Sequence, residues 1–556
     1  MLRWIACLAG MTVVFAAHAQ VRLPANPLQN LPRTETPAQA PAVQVNVQAP
    51  TQAMEALLAT SLTPSRFDVT GVRSIRFSTV ADVFAPLRGK PVTVRELIDA
   101  ANRVTAMYKQ QGYALSFAFV PAQTFTNGVV RITVVEGYVA EVKISGDAGN
   151  MASRIRAMAN HVVGERPLRQ DTFERYTQLL GQLPGVKVGA NVPPPTTTDG
   201  ATRLDLTVTR QRYDVSYGLD FNHPGTQGVF NVLENGFTPL GEQLSLSTLF
   251  PNGGGQRFYS AGWLEPIGSR GWQARVDASR YWGNPDTDSS QLPSYLDHRL
   301  SQQRVSLSTI YPLVLTNTRR LNLTLGVYAS RQDDRYRNVD TGAMIALQSS
   351  VRVLNAELAW LRVATDRTLQ FSAGVAHGYD AMGAYSRVVT NVAGGVTASL
   401  PDVSFTRYMM SGSWSEQWPY KVGTVMRVTG QYSDDTLPST EQINFGGPSY
   451  AYAYDPGDAA GDSGWAASLE VNRAFATGRS WIRSIVPYVA YQSARVYVNG
   501  GRPLIDRLDS AALGVRVSDA KHYSIDVALA KPTGDRPPET GTREKRWNLT
   551  FSYKLM

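Results

Sequence analysis

From Tyr213 onward the chain alternates. Tyr213, Val215, Tyr217, Leu219 and Phe221 are large and apolar, and Asp214, Ser216, Gly218 and Asp220 sit between them. A period of two is the signature of a strand. Small or charged residues at every other position suit a water-filled lumen better than a dry sandwich core. The pattern recurs at Leu321–Val327, Trp465–Val471 and Tyr523–Leu529. In the final run Trp547, Leu549, Phe551, Tyr553 and Leu555 share one face, opposite Asn548, Thr550, Ser552 and Lys554. A strand with its loop takes roughly 20 residues, so residues 213–556 predict a transmembrane β-barrel of about 16 antiparallel strands. An open edge in lipid would leave backbone groups unpaired, so the strand at Tyr213 is expected to pair with the last one. Tyr281-Trp282 and Trp418 with Tyr420 are candidates for interfacial girdles, or for ordinary turn-flanking aromatics.

Before Tyr213 the pattern changes to two small α/β units. Thr93 and Glu96 form a capping box, and Leu97, Ala101, Val104 and Tyr108 then share one helix face. Gly112 ends the helix as its C′ residue. Leu115, Phe117 and Phe119 predict a half-buried strand, Pro121–Gly128 a loop, and Val130, Ile132 and Val134 the returning strand. The second unit has helices over 151–159 and 169–180 and a closing strand at Leu204, Leu206 and Val208. The expected division is 65–140 for the first unit and 141–212 for the second.

Composition narrows this further. Arg3, the apolar stretch Ile5–Ala17 and Ala17-His18-Ala19 before Gln20 read as an export signal over 1–19. The one cysteine, Cys7, lies inside it, so the mature chain is expected to hold neither disulfide nor thiolate metal site. Residues 20–64 are Pro- and Gln-rich and read as mostly extended linker, with Met54–Ala59 as one or two helical turns. After residue 19 no apolar run approaches a spanning helix. The net charge is +9, but the basic residues form no long run, which argues against nucleic acid.

Catalytic chemistry is thin. The six histidines are scattered and no H-E-x-x-H occurs. Gly461-Asp462-Ser463-Gly464 superficially resembles a protease nucleophile turn, but Trp465 follows it. It reads as a tight turn into the next strand. Asp286 and Asp288 read as a solvated loop ahead of a Ca²⁺ site. Gly253-Gly254-Gly255 is a loop with no helix after it to bind phosphate. No enzyme, cofactor or metal is expected.

Several motifs carry a resemblance. Tyr108, Gly112 and Tyr113, then Pro121, Gly128, Glu136 and Gly137, resemble the first POTRA domain of two-partner secretion transporters, the outer-membrane proteins of the Omp85 superfamily that export haemolysins and adhesins. Gly446-Gly447, Gly461, Asp462, Gly464 and Glu470 resemble that family's barrel loop and the strand after it. The resemblance implies two periplasmic POTRA domains, a 16-stranded barrel in the outer membrane of a Gram-negative bacterium, and a pore-plugging helix for which only 21–31 offers a poor match. It also implies assembly by the barrel-assembly machinery in contact with outer-membrane lipid. The family's loop tip carries a Val-Arg-Gly-Phe/Tyr motif; here the tip falls on Ala451, Tyr452, Ala453 and Tyr454. The wall positions that carry Phe and Asp in the family fall on Ala490 and Gln492. Arginine and aspartate are thus absent together, which avoids one buried unpaired charge, and a neutral Tyr452–Gln492 hydrogen bond is the expected substitute.

The function so implied is export of an unfolded partner protein, bound by the POTRA domains and passed through the pore without ATP. An insertase of the same superfamily is the alternative; such relatives usually carry three or more POTRA units, whereas two are read here. A porin would need none.

Overall fold

The computed structural model describes residues 58–222, 226–250, 255–284, 293–393, 395 and 400–555. The export signal, the plug segment, most of the linker, Asp286, Asp288 and Met556 lie outside them.

The first α/β unit begins where sequence punctuation places it. Thr93 caps the helix Val94–Gln110, its hydroxyl accepting from the Glu96 N–H while the Glu96 carboxylate accepts from the Thr93 N–H at 2.7 Å. Leu97, Ala101, Val104 and Tyr108 are buried on one side, and Gly112 follows at φ +86. The sheet runs in the order Arg66–Thr70, Val129–Val135, Phe117–Phe119, the first pair parallel and the second antiparallel. Val130, Ile132 and Val134 face the helices. The short strand differs from expectation. Ala118 faces the core, its N–H bonded to Thr105 Oγ1 at 3.0 Å, while Phe117 and Phe119 stack on the outer side. Alternating large residues point to the opposite face; the Thr105 hydroxyl on the helix binds the Ala118 main chain.

The second unit repeats this topology with Tyr138–Gly146, Ala201–Arg210 and Val186–Asn191 under the helices Ala152–Ala159 and Gln170–Gly181. The strand from Tyr138 pairs only with the second sheet, so the division falls at Gly137 and not at residue 140.

Eighteen strand segments then close one antiparallel barrel. Arg367–Gly378 with Tyr385–Thr390, and Ser463–Arg473 with Phe475–Ala476, are each one broken passage, which leaves 16 passages. Closure joins Arg546–Lys554 to Tyr213–Asp220, with Phe551 opposite Leu219. The outward positions are apolar: Val305, Leu307, Leu325, Val327, Leu469 and Leu513 are all exposed. Of the expected girdle residues, Trp418 and Tyr420 are exposed beside a strand end, but Tyr281 is buried facing inward and bonds Gln256 at 3.1 Å. Alternation places Tyr281 and Trp282 on opposite faces, so only the tryptophan points to lipid.

The second unit grips one end of the barrel. Arg154 donates to the carbonyls of Leu240 and Gly268 at 2.6 and 2.8 Å, and to that of Pro266. Arg175 donates to Pro312 O at 3.1 Å, and His161 Nε2 lies 2.7 Å from Ser269 Oγ. This end carries the strand turns near residues 240, 268 and 317; the long connection 433–462 leaves from the other.

Candidate functional site

The connection after Val422–Tyr432 folds back into the barrel. Its stem is a two-stranded hairpin, Ile443–Phe445 against Ala459–Gly461. Asp462 anchors the stem and is fully buried. One carboxylate oxygen accepts from Leu437 N–H at 2.8 Å and Gln442 Nε2 at 3.0 Å, the other from Asn499 N–H at 2.8 Å. Gly461–Gly464 is therefore not the expected tight turn. It is a bend between two strands, built around a carboxylate that three parts of the chain share. Glu441 adds a buried ion pair to Arg407 at 2.8 Å and accepts from Tyr328 O–H at 2.5 Å.

Above the stem the chain turns at Gly446 and Gly447. Gly446 has φ +129, and a Cβ there would lie 1.9 Å from Asp455 O. Gly447 N–H donates to Tyr454 O at 2.9 Å, closing the tip. Ala451, Tyr452, Ala453 and Tyr454 are all buried. They pack on Ala490, Ala494, Ala512, Ala528 and Ala530 of the barrel wall, whose small inward side chains leave space for the loop.

The Tyr452–Gln492 contact exists, but through the main chain. Tyr452 N–H donates to Gln492 Oε1 at 2.7 Å, and Tyr452 O accepts from Asn548 Nδ2 at 3.0 Å. Both polar groups of one peptide residue are thus held by two wall strands. Tyr454 O–H donates to Asp535 O at 2.7 Å. The Tyr452 ring lies toward Tyr488, whose hydroxyl is 3.4 Å from that of Tyr452 and 2.8 Å from Asp526 Oδ1.

A charge network does lie beside the tip, at residues the sequence reading did not bring together. Arg516 donates to both oxygens of Glu470 at 2.8 and 2.6 Å and to Asp526 at 3.0 Å, and its guanidinium lies 4.3 Å over the Tyr488 ring. Glu470 had been picked out within its motif; Arg516 and Asp526 had not. The signal for both was their inward place in the alternation: Gly514, Arg516 and Ser518 oppose Tyr488, Val486 and Ser484.

At the outer mouth Asp455, Asp458 and Glu539 bring carboxylate oxygens within 4.8 Å of one another. Arg546 pairs with Asp455, and burial followed by Asp458 and Asp455 pushes the Glu539 carboxyl up to about 10.

The first unit's signature residues form a clamp of their own. Tyr108 O–H donates to Glu136 Oε1 at 2.8 Å, and Glu136 also accepts from Arg73 and Ser74 N–H at 2.9 and 2.7 Å. Burial opposes ionisation of Glu136, but these donors outweigh it and hold its carboxyl below the usual range. Burial, then the Glu136 hydrogen bond, raises the Tyr108 phenol. A Cβ on Gly137 would lie 2.5 Å from Leu115 O. Tyr108, Glu136 and Gly137 thus hold the fold and expose little to a ligand; Tyr113 packs beside Tyr108 with ring centroids 6.0 Å apart.

Comparison with known proteins follows this division. The family described as "POTRA domain, ShlB-type" matches residues 62–137, and that described as "Haemolysin secretion/activation protein ShlB/FhaC/HecB" matches 243–517. The heme/hemopexin transporter protein HuxB of Haemophilus influenzae is 21% identical over 80% of the chain and 78% of its own length. The outer membrane transporter CdiB of Escherichia coli O6:K15:H31 is 22% identical over 81% and 74%. Among solved structures, CdiB from Escherichia coli aligns over 94% of each chain with a TM-score of 0.68 at 17% identity. BamA from Haemophilus ducreyi lacking POTRA domains 1–3 aligns over 89% of this chain and all of its own, with a TM-score of 0.51 at 12% identity.

Proposed function

Since the chain belongs to the two-partner secretion transporters of the Gram-negative outer membrane, we propose that it exports one unfolded partner protein, received by its periplasmic units and threaded through the barrel without ATP. We count the second α/β unit as a second POTRA domain, because it repeats the strand order and parallel pairing of the first.

The observation that carries this reading is the hairpin inside the barrel. It is held by hydrogen bonds and two ion pairs, each reversible, over a wall of alanines. Such a loop closes a polar conduit at rest and yields space when its contacts are exchanged for those of a passing chain. The receptor is the first unit. Its sheet has its other edge at Arg66–Thr70, away from the helix-bonded strand Phe117–Phe119, and an extended client adds main-chain hydrogen bonds to such an edge. The second unit's helices are engaged with the barrel turns, which leaves the first free to meet a client. Folding of the client outside makes its return unfavourable and supplies the direction. The likeness to BamA concerns fold alone and does not favour an insertase.

The test is co-expression with a large exported candidate partner protein. Removal of residues 62–137 should leave a heat-modifiable barrel in the outer membrane and abolish the partner's appearance in the medium. Unchanged secretion would refute the proposal.

A further inference from the structure

The outward face of the barrel is not uniform. On the strand Arg319–Asn338 the outward positions run Leu321, Leu323, Leu325, Val327, Ala329, then Arg331, Asp333 and Arg335. Ten residues of tilted strand from Leu321 to Arg331 rise roughly 25 Å, the height of the apolar band of such a barrel. Arg331 therefore sits at the outer edge of the hydrocarbon, on the side opposite the α/β units.

Register extends this edge across neighbouring strands. Arg280 is paired with Gln303, and Gln303 with Arg331, in one row. In the row above, Trp282, Ser301, Asp333, Gln348 and Arg387 follow one another. Arg257 extends that row opposite Trp282, and in the row above Arg299 lies directly opposite Arg335. Arg257, Arg280, Arg299, Arg331, Arg335 and Arg387 are all exposed. Among the described residues of these rows and the next, Asp333 and Asp297 are the carboxylates that face them, bonded to Arg335 at 3.4 Å and Arg299 at 2.9 Å. Arg280 and Arg331 make no ion pair among the described residues. Trp282, Arg299, Gln303, Arg331, Asp333 and Arg335 line a cavity of about 560 Å³ open to the outside.

Like charges directly opposed on a sheet are destabilising unless an anion lies between them. Elsewhere on this outer face the protein supplies its own anion: Asp509 is gripped by Arg495 at 2.8 Å and Arg507 at 2.6 Å. Over 257–387 the arginines outnumber the carboxylates, at the depth where lipid phosphates lie and beside an aromatic residue suited to that interface.

We propose that this face, centred on Arg280, Arg331 and Arg335, binds the phosphates of the phosphorylated glycolipid that forms the outer leaflet. The acyl chains would lie along Val305, Leu307, Leu325 and Val327 below. Bound lipid would then fix one side of the barrel wall in the membrane.

The test uses the full-length protein in detergent, with bisphosphorylated lipid A, dephosphorylated lipid A and inorganic phosphate as probes in native mass spectrometry. Bisphosphorylated lipid A should bind roughly tenfold or more tighter than the dephosphorylated form, and R280Q/R331Q/R335Q should lose that margin. The variant's heat-modifiable migration should stay normal, and R473Q, at the opposite end of the outer face, should bind as wild type. Equal binding of the two lipid forms, equal binding by the triple variant, or displacement by millimolar inorganic phosphate would each overturn the proposal.

Discussion

Gln492 grips Tyr452 by its main chain: the Tyr452 N–H donates to Gln492 Oε1 at 2.7 Å, and both residues are buried. Gln492→Ala leaves that N–H unpaired in a closed site, at a cost of about 1–3 kcal/mol. The loop tip should then leave the wall more often. Single-channel recordings in planar bilayers should show a higher mean conductance and more frequent transitions than wild type. Tyr452→Phe removes only the 3.4 Å contact with Tyr488 and should change conductance little.

The Glu470–Arg516 pair gives a sharper expectation. Glu470→Leu leaves the half-buried Arg516 with Asp526 as its remaining acid, at a cost below the ~3–5 kcal/mol of breaking a fully buried pair. Glu470→Leu combined with Arg516→Met should regain part of that loss, because the Glu470–Arg516 pair is then removed whole, while Asp526 loses the guanidinium and keeps its hydrogen bond from the Tyr488 hydroxyl. Denaturant unfolding of the four proteins of this cycle in detergent measures the coupling. Additive losses would show that the pair does not act as a unit.

Gly446→Ala should disorder the hairpin. A Cβ there meets Asp455 O at 1.9 Å, and φ +129 alone strains an L-residue by about 1–3 kcal/mol. Proteolysis within 443–461 should accelerate in Gly446→Ala and not in Gly478→Ala, where a Cβ meets nothing within 4 Å.

Much of this architecture could be read from alternation, because a lipid-facing wall and a wet lumen impose opposite chemistries on successive residues. That rule placed Leu325, Leu469 and Trp547 outward and Glu470 and Asn548 inward. It could not say which inward residues meet. Arg516 and Glu470 are 46 residues apart, and their contact depends on barrel curvature and stagger. The same limit hid Asp462, whose partners Leu437, Gln442 and Asn499 lie on three separate segments. Ala118 misled for a local reason: two large aromatics flank it, yet the small residue meets the helix.

His161 makes the docking of the second unit sensitive to pH. Its ring stacks on Tyr176 at 4.5 Å, and Nε2 lies 2.7 Å from Ser269 Oγ on a barrel turn. Burial, and then the neighbouring Arg270, hold its pKa below the ordinary value of about 6.5. The undocked or unfolded state therefore takes up the proton more readily than the docked state. His161 stabilises docking fully above that ordinary pKa, and the contribution is lost as pH falls below it toward the folded value. Arg154 and Arg175 face the same turns from the neighbouring helices, so the new charge meets further positive charge. Protection against hydrogen exchange at residues 268–271, corrected for the intrinsic pH dependence of amide exchange, should fall in wild type as pH drops below about 6.5. His161→Gln keeps a hydrogen-bonding group for Ser269 without a titrating one, and its corrected protection at those residues should stay flat. Equal pH dependence in both proteins would assign the effect to another group.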